Sequence, residues 1–289
     1  MRKLPKFQHQ VASELASNFG QSIRELICCG QHRSQRATFV ELQIQVSGFK
    51  QRMTDEQKFH QMLTEAQQES EEDFVMPAVP FSVSLRKLPN TLARTYVLNE
   101  QPGPQKAIIY LPGGAYIESP VKEQWLFADQ LAQETGARVY VVLYSHLPRH
   151  QFQTAYREIT QLYRQVYDQV PVSNITLLGD SAGGGLAAGF CEYCAATDLP
   201  QPGHLVLISP WLDLDLNNPT ITKYEAHDVT LSVKGLQRVA KLWAASEKHD
   251  DYRLSPINGD VSQLRDVLVC VGTREIMYPD SALFVQKLR

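Results

Sequence analysis

Three observations predict an α/β protein: a mostly parallel sheet covered by helices on both faces, with a helical cap. From residue 107 onward, short apolar runs alternate with amphipathic stretches at helical period, the order that yields parallel strands joined by crossover helices. One strand-to-helix passage carries glycines around a serine, Gly179-Asp180-Ser181-Ala182-Gly183. The first 80 residues differ from the rest, being rich in Gln and Glu and carrying helical rather than strand patterns.

Taken in order, Val11, Leu15 and Phe19 space an early helix that ends at Gly20. Val40, Leu42, Ile44 and Val46 alternate with polar residues at strand period while their flanks favour helix, so that element stays open. The clearest N-terminal helix follows Thr54, where Thr54 and Gln57 form a capping box and Phe59, Met62, Leu63 and Ala66 share one face. Residues 67–73 read as a solvated helix end and linker. Residues 81–86 and 91–98, separated by Leu88-Pro89-Asn90, read as a hairpin at a sheet edge. Strands follow at 107–111, 137–143, 174–178, 204–208 and 267–271. Helices lie between them, from Ser119-Pro120 to about 134, at about 154–167, and from Ser181 to about 196. Residues 210–250 interrupt the alternation with a polar segment and a helix whose Leu236, Val239, Ala240 and Trp243 share one face. The expected domains are a helical cap region over 1–80 and a core over 81–289. The core carries a cap insertion at about 210–250, and its last helix begins near Pro279 and is not finished.

At 43% hydrophobic, 289 residues can bury a substantial core. A net charge of −3 from 28 basic and 31 acidic residues gives no general field for nucleic acid or an anionic membrane. The N-terminus lacks a continuous apolar run, and no stretch approaches a membrane span, so the expected location is the cytoplasm. Five cysteines, with Cys28 and Cys29 adjacent, argue for reduced thiols. Cys191 and Cys194 fall inside the helix after Ser181 and read as packing residues.

A serine held at a sharp turn between strand and helix has its hydroxyl exposed above the sheet, where a base can reach it. Ser181 is therefore the candidate nucleophile. Acyl transfer also needs donors aimed at the oxyanion. Gly113 and Gly114, following the 107–111 strand, and Ala182, next after the serine, are the candidate donors through their backbone amides. Tyr116 either lines the substrate pocket or packs in the core. Asp180 is expected to steady the elbow or the helix start.

Gly113-Gly114-Ala115-Tyr116 after a strand, the Gly-Asp-Ser-Ala-Gly-Gly-Gly run, and Ser209-Pro210-Trp211-Leu212-Asp213 after the next strand together resemble the hormone-sensitive-lipase-like esterases of the α/β-hydrolase fold. The stretch from Tyr144 to Phe152 has the length and the Tyr, Pro and Phe positions of that family's Y-R-L-A-P-E-x-x-F motif. The resemblance covers residue 81 to the end. It implies a carboxylic ester hydrolase acting on small acyl esters, with an N-terminal helical cap, no metal or other cofactor, and a small-molecule ester as its partner.

Two positions depart from the family. Pro112 stands where the oxyanion motif opens with histidine, which exchanges a hydrogen bond for rigidity. The family order of serine, acid, histidine puts Glu275 at the acid position, ahead of Asp213 and Asp280. Fourteen residues follow Glu275 and none is histidine. The expectation is therefore a fragment or truncated product, nearly inactive as written, since losing one triad member costs on the order of 10⁴–10⁶ in turnover. The alternative is an inactive ligand-binding protein on the same scaffold. His146, His150 and His227 would reach Ser181 only in an unusual topology.

Overall fold

The computed structural model describes residue 41 and residues 44–71 and 74–289. The early helix expected at 11–20, the Cys28-Cys29 pair, Val40 and Leu42 lie outside these residues. Residues 44–47 are helical, which settles the described part of that ambiguous stretch against a strand. Helices α1 (Phe49–Thr54) and α2 (Glu56–Glu71) come next. The core then runs β1 (Leu85–Lys87), β2 (Arg94–Leu98), β3 (Ala107–Leu111), α3 (Lys122–Thr135), β4 (Arg138–Leu143), α4 (Phe152–Tyr167), β5 (Ile175–Asp180), α5 (Ala182–Ala196) and β6 (His204–Ile208). After β6 come the short α6 (Thr222–Glu225), α7 (Val233–Ala244), β7 (Val267–Cys270) and α8 (Tyr278–Lys287).

The seven strands lie in the order β1-β2-β4-β3-β5-β6-β7. The β1–β2 hairpin joins antiparallel, and β4, β3, β5, β6 and β7 are parallel. Register sets the site. Leu111 pairs with Gly179, Asp180 with Ile208, and Ile208 with Cys270, so β3, β5, β6 and β7 end level. The loops that follow them therefore emerge side by side along one edge, the place where open α/β sheets present ligand sites.

Strand alternation sends Ile109 and Leu111 to one face of the sheet and Ile108 and Tyr110 to the other. The first face is covered by α4 and α5. On α4, Phe152, Ala155, Ile159, Leu162 and Val166 recur at helical spacing and are buried. The second face is covered by α3, whose Trp125 is fully buried against Tyr96, Phe74 and Phe81. Complete burial of such apolar side chains contributes about 1.5–3 kcal/mol each. Cys191 and Cys194 are buried in α5, where desolvation pushes the Cys194 thiol up to about 12.

Two helix starts differ from expectation. Thr54 still belongs to α1 and donates its hydroxyl to Lys50 O, while Asp55, in extended conformation, accepts the Lys58 amide and caps α2. The helix expected from Ser119-Pro120 begins at Lys122, with Gln124 Oε1 accepting the Val121 amide. The N-terminal helices pack on the 210–250 segment: a Cβ on Gly235 would lie 2.7 Å from Met53 Cβ, and Arg238 donates to Thr54 O at 2.9 Å.

Candidate active site

Ser181 sits between the last residue of β5 and the first of α5 with φ 53° and ψ −121°. A non-glycine residue at such a φ is strained by about 1–3 kcal/mol and persists only where its surroundings enforce it. Three backbone bonds do so here. The Ser181 amide donates to Ile208 O at 2.9 Å, and Ser181 O accepts the Trp211 amide at 2.9 Å and the Gly185 amide at 3.1 Å. Gly183 lets the turn close: a Cβ there would stand 2.0 Å from Leu111 O. The serine is half-buried rather than enclosed.

Gly113 lies against this elbow, since a Cβ on it would be 3.0 Å from Ser181 Cβ. Beyond it the backbone turns through Gly114 at φ 151°, Ala115 at 50° and Tyr116 at 58°. The turn closes by amides of Ile117 and Glu118 donating to Gly114 O at 2.9 and 2.8 Å. The expected donors are not alike in their partners. The Gly113 amide donates to Asp180 Oδ1 at 3.0 Å, so it is committed within the protein. The amides of Gly114, Ala115 and Ala182 have no acceptor among the described residues. The half-buried Asp180 carboxylate beside the loop thus holds the Gly113 amide by a charge-assisted bond.

Asp180 does more than steady a helix start. Its carboxylate also accepts the Tyr110 hydroxyl at 2.6 Å and Gln124 Nε2 at 3.0 Å, and Gln124 Nε2 reaches Gly113 O at 3.2 Å. Burial, with the nearby Asp180 charge, pushes the Tyr110 hydroxyl far above its ordinary pKa, so it remains a donor. Tyr144 donates to Pro112 O at 2.8 Å. Between them, Asp180, Gln124 and Tyr144 hold the loop that opens with proline. Nothing in the sequence singles out Gln124, which stands within no motif, or gives the Tyr110 hydroxyl a role.

Glu275 follows β7 and is half-buried. Oε1 accepts the Gly272 amide at 3.0 Å. Burial raises its pKa, opposed by hydrogen bonds from the Ser209 side chain and the Gly272 amide. Ser209 is the residue after β6, at φ 45°, so Glu275 reaches back one strand towards the elbow. Its rivals are engaged elsewhere. Asp213 accepts the amides of Asp215 and Asn217 within its own loop. Asp280 is buried in the first turn of α8, takes Asn218 Nδ2 at 2.9 Å, and is pushed up to about 6 by desolvation.

Tyr116 packs in the core and also borders a cleft. Its ring stacks on Trp243 at 4.3 Å and on Trp211 at 5.5 Å, and it is almost wholly buried. It also lines a cleft of about 750 Å³ with Pro112, Gly113, Tyr144, His146 and Met62 of α2. Ser181 is not among that cleft's lining residues; the cleft flanks the loop from the α2 side.

None of the described histidines is hydrogen-bonded to Ser181 or Glu275. His146 Nδ1 donates to Leu147 O at 2.9 Å, and burial lowers its pKa. His227 is exposed and meets Lys223 O, His249 pairs with Asp215, and His204 with Asp266. No group of three or more His, Cys, Asp or Glu side chains among the described residues has the arrangement of a metal site.

A serine on a strained strand-to-helix turn, with unpaired amides beside it and a carboxylate two strands away, defines a hydrolase-type elbow site on a parallel α/β sheet. Residues 108–289 match the family model described as alpha/beta hydrolase fold, and the chain belongs to that family. It is 31% identical over 183 residues to an acetyl-hydrolase of Streptomyces hygroscopicus, a match covering 63% of this chain and 61% of that relative's length. It is 28% identical over 208 residues to an esterase of Acinetobacter venetianus, covering 71% and 69%. The crystal structure of a candidate esterase from Staphylococcus aureus superposes with a TM-score of 0.78 at 28% identity, covering 81% of this chain and 80% of that one. The resemblance to hormone-sensitive-lipase-like esterases read from the motifs agrees with these names. No helix among the described residues is long and apolar enough to cross a membrane.

Proposed function

We propose that this protein is a serine carboxylic ester hydrolase that cleaves small or short-chain acyl esters through an acyl-enzyme. Ser181 Oγ attacks the ester carbonyl, and the oxygen that gains the charge is received by the amides of Gly114, Ala115 and Ala182. Collapse of the tetrahedral adduct expels the alcohol. Water then attacks the acyl-serine, releases the acid and restores the hydroxyl. Each donor of this kind is worth about 2.7–4 kcal/mol of barrier. The observation that carries the reading is the Ser181 backbone at φ 53°, enforced by three hydrogen bonds and flanked by amides with no acceptor among the described residues. The names of the relatives support ester hydrolysis in particular.

Glu275 is the carboxylate that orients the general base in this reading. The base itself is an imidazole, and no described histidine fills the role. Imidazole added from solution should therefore substitute for it. The test is release of nitrophenol from 4-nitrophenyl acetate, with and without about 0.1 M imidazole as an external base. Expected is a rate above that of free imidazole, with an acetyl group trapped on Ser181 by mass spectrometry, and loss of both in Ser181→Ala. Equal rates for the two proteins would remove Ser181 as nucleophile and leave a ligand-binding protein on a hydrolase scaffold.

A further inference from the structure

Helix α1 is only six residues long, yet its side chains reach two separate loops of the candidate site. On one side, Arg52 donates through one guanidinium nitrogen to Glu65 Oε2 of α2 at 2.7 Å and through the other to Glu118 Oε1 at 3.2 Å. Glu118 is the residue whose amide closes the turn onto Gly114 O. Its backbone also packs so tightly there that a Cβ on Gly114 would lie 2.2 Å from Glu118 O. A shift of Glu118 is therefore a shift of Gly114. On the other side, Lys50 Nζ donates to Glu225 O at 2.8 Å and Asp228 O at 2.5 Å. Asp228 is buried. Its carboxylate takes the Thr230 and Leu231 amides on Oδ1 and the Ile276 amide, next to Glu275, on Oδ2 at 3.0 Å. A second tie runs from the N-terminal segment to the same loop, Glu41 to Arg274 at 3.8 Å. Met53, fully buried against Gly235, fixes α1 between the two attachments.

We propose that Lys50 and Arg52 are positioning residues, and that α1 acts as a strap holding the 112–118 loop and the 272–276 loop at fixed places on either side of Ser181. The proposal rests on the serine-hydrolase reading for its effect on rate, and on geometry alone for its effect on loop position. Neither side chain touches reacting atoms. Lys50 acts through Asp228 and Ile276 on the Glu275 loop; Arg52 acts through Glu118 on the Gly114 and Ala115 amides. Displacing a donor or an orienting group by a fraction of an ångström costs catalysis more than it costs binding, because transition-state geometry is the more demanding. The N-terminal segment, read from the sequence as a cap over the substrate, is on this view part of the catalytic frame.

Hydrogen exchange and rate measurements on Lys50→Met and Arg52→Met test the strap, with Gln51→Ala, an exposed neighbour, as control. Expected in Arg52→Met is faster exchange of the Ile117 and Glu118 amides, with Ile276 unchanged. Lys50→Met should show the converse, faster Ile276, Thr230 and Leu231 with the 117–118 pair unchanged. Each variant should lose about tenfold in the Ser181-dependent, imidazole-assisted kcat with KM within about twofold, and Lys50→Arg should restore it. Folded variants with unaltered exchange at both loops would overturn the strap. Altered exchange with an unaltered kcat would overturn its role in the reaction. If the unchanged protein shows no Ser181-dependent rate, the serine reading fails, and the exchange pattern still decides whether α1 positions the loops.

Discussion

The Ser181 elbow and the Glu275 loop that follows β7 are built in opposite ways. The elbow lies over the central strands β3 and β5, and its turn is closed backbone against backbone: Gly183 packs on Leu111 O and the Ser181 amide donates to Ile208 O. The Glu275 loop follows β7, and its Gly272 to Arg274 are exposed. Its position depends on side chains, chiefly Asp228 on the Ile276 amide and Glu275 on its own loop. In the proposed reaction the rigid half presents the serine and donors, and the compliant half presents the acid.

Paired glycine substitutions are the strongest way to break that contrast. In Gly183→Ala the new methyl meets Leu111 O at 2.0 Å, a carbonyl in the middle of the sheet that cannot retreat without losing strand register. Overpacking of this kind should cost at least about 3 kcal/mol in urea unfolding. In Gly272→Ala the nearest atom is Glu275 Oε1 at 2.2 Å, the far end of a flexible side chain, and the cost should stay near 1 kcal/mol. Similar losses in both would mean that the two halves are equally rigid.

Glu192 tests the boundary between them. It lies on α5, which begins at the elbow, and packs against the segment that leads to β7, close to Gly259. Its carboxylate is buried with neither oxygen hydrogen-bonded among the described residues, and desolvation pushes it up to about 8. Lys287 opposes this from α8, while Asp260 adds to it. A folded-state pKa above the unfolded one means stability that is complete below the ordinary glutamate range of about 4.3 and is lost as pH rises to about 8. Stability should therefore fall by on the order of 2–4 kcal/mol across that window, and Glu192→Gln should flatten the slope. A slope unchanged in the variant would assign the pH dependence to other groups.

Asp180→Asn should have a smaller effect, confined to the rigid half. The carboxylate collects three donors, and an asparagine turns one of its two acceptors into a donor facing a donor. The expected loss is about 1–3 kcal/mol in thermal or urea unfolding, with a fall in the Ser181-dependent rate at near-constant KM. A loss in KM alone would place Asp180 in substrate binding instead.

The sequence was legible where a feature is local. Gly179 to Gly183 carries strand, turn and helix within a few residues, and the parallel core follows from periodicity. It was less legible where a side chain from far along the chain decides the outcome. Gly113 reads as a donor, and only the fold brings Asp180, 67 residues on, to its amide. Thr54 looked like a cap, but a hydroxyl at the end of one helix bonds back to its own carbonyls, and Asp55 was better placed. Asp228 and Lys50 belong to no motif, and only the fold brings them to the loop of Glu275.

Glu275→Gln is the mildest of these changes and the most informative about the compliant half. The amide oxygen of glutamine can still accept the Gly272 amide, so the loop keeps its main internal bond. Burial is the leading cause of the raised Glu275 pKa, which makes ionisation a cost that the variant removes. The folded carboxyl holds its proton to higher pH than the unfolded one. Its contribution to stability is thus present at low pH and lost as pH rises through the raised value, so the variant should equal the parent in acid and match or slightly exceed it at neutrality. The difference should be under about 1 kcal/mol, read as urea midpoints at pH 4 and pH 7.5. Activity should move the other way: a neutral amide cannot stabilise an imidazolium, so the imidazole-assisted rate should fall where stability does not. A variant that loses stability at neutral pH would show that the carboxylate charge holds the loop in place, and the acid side would then be as firmly built as the elbow.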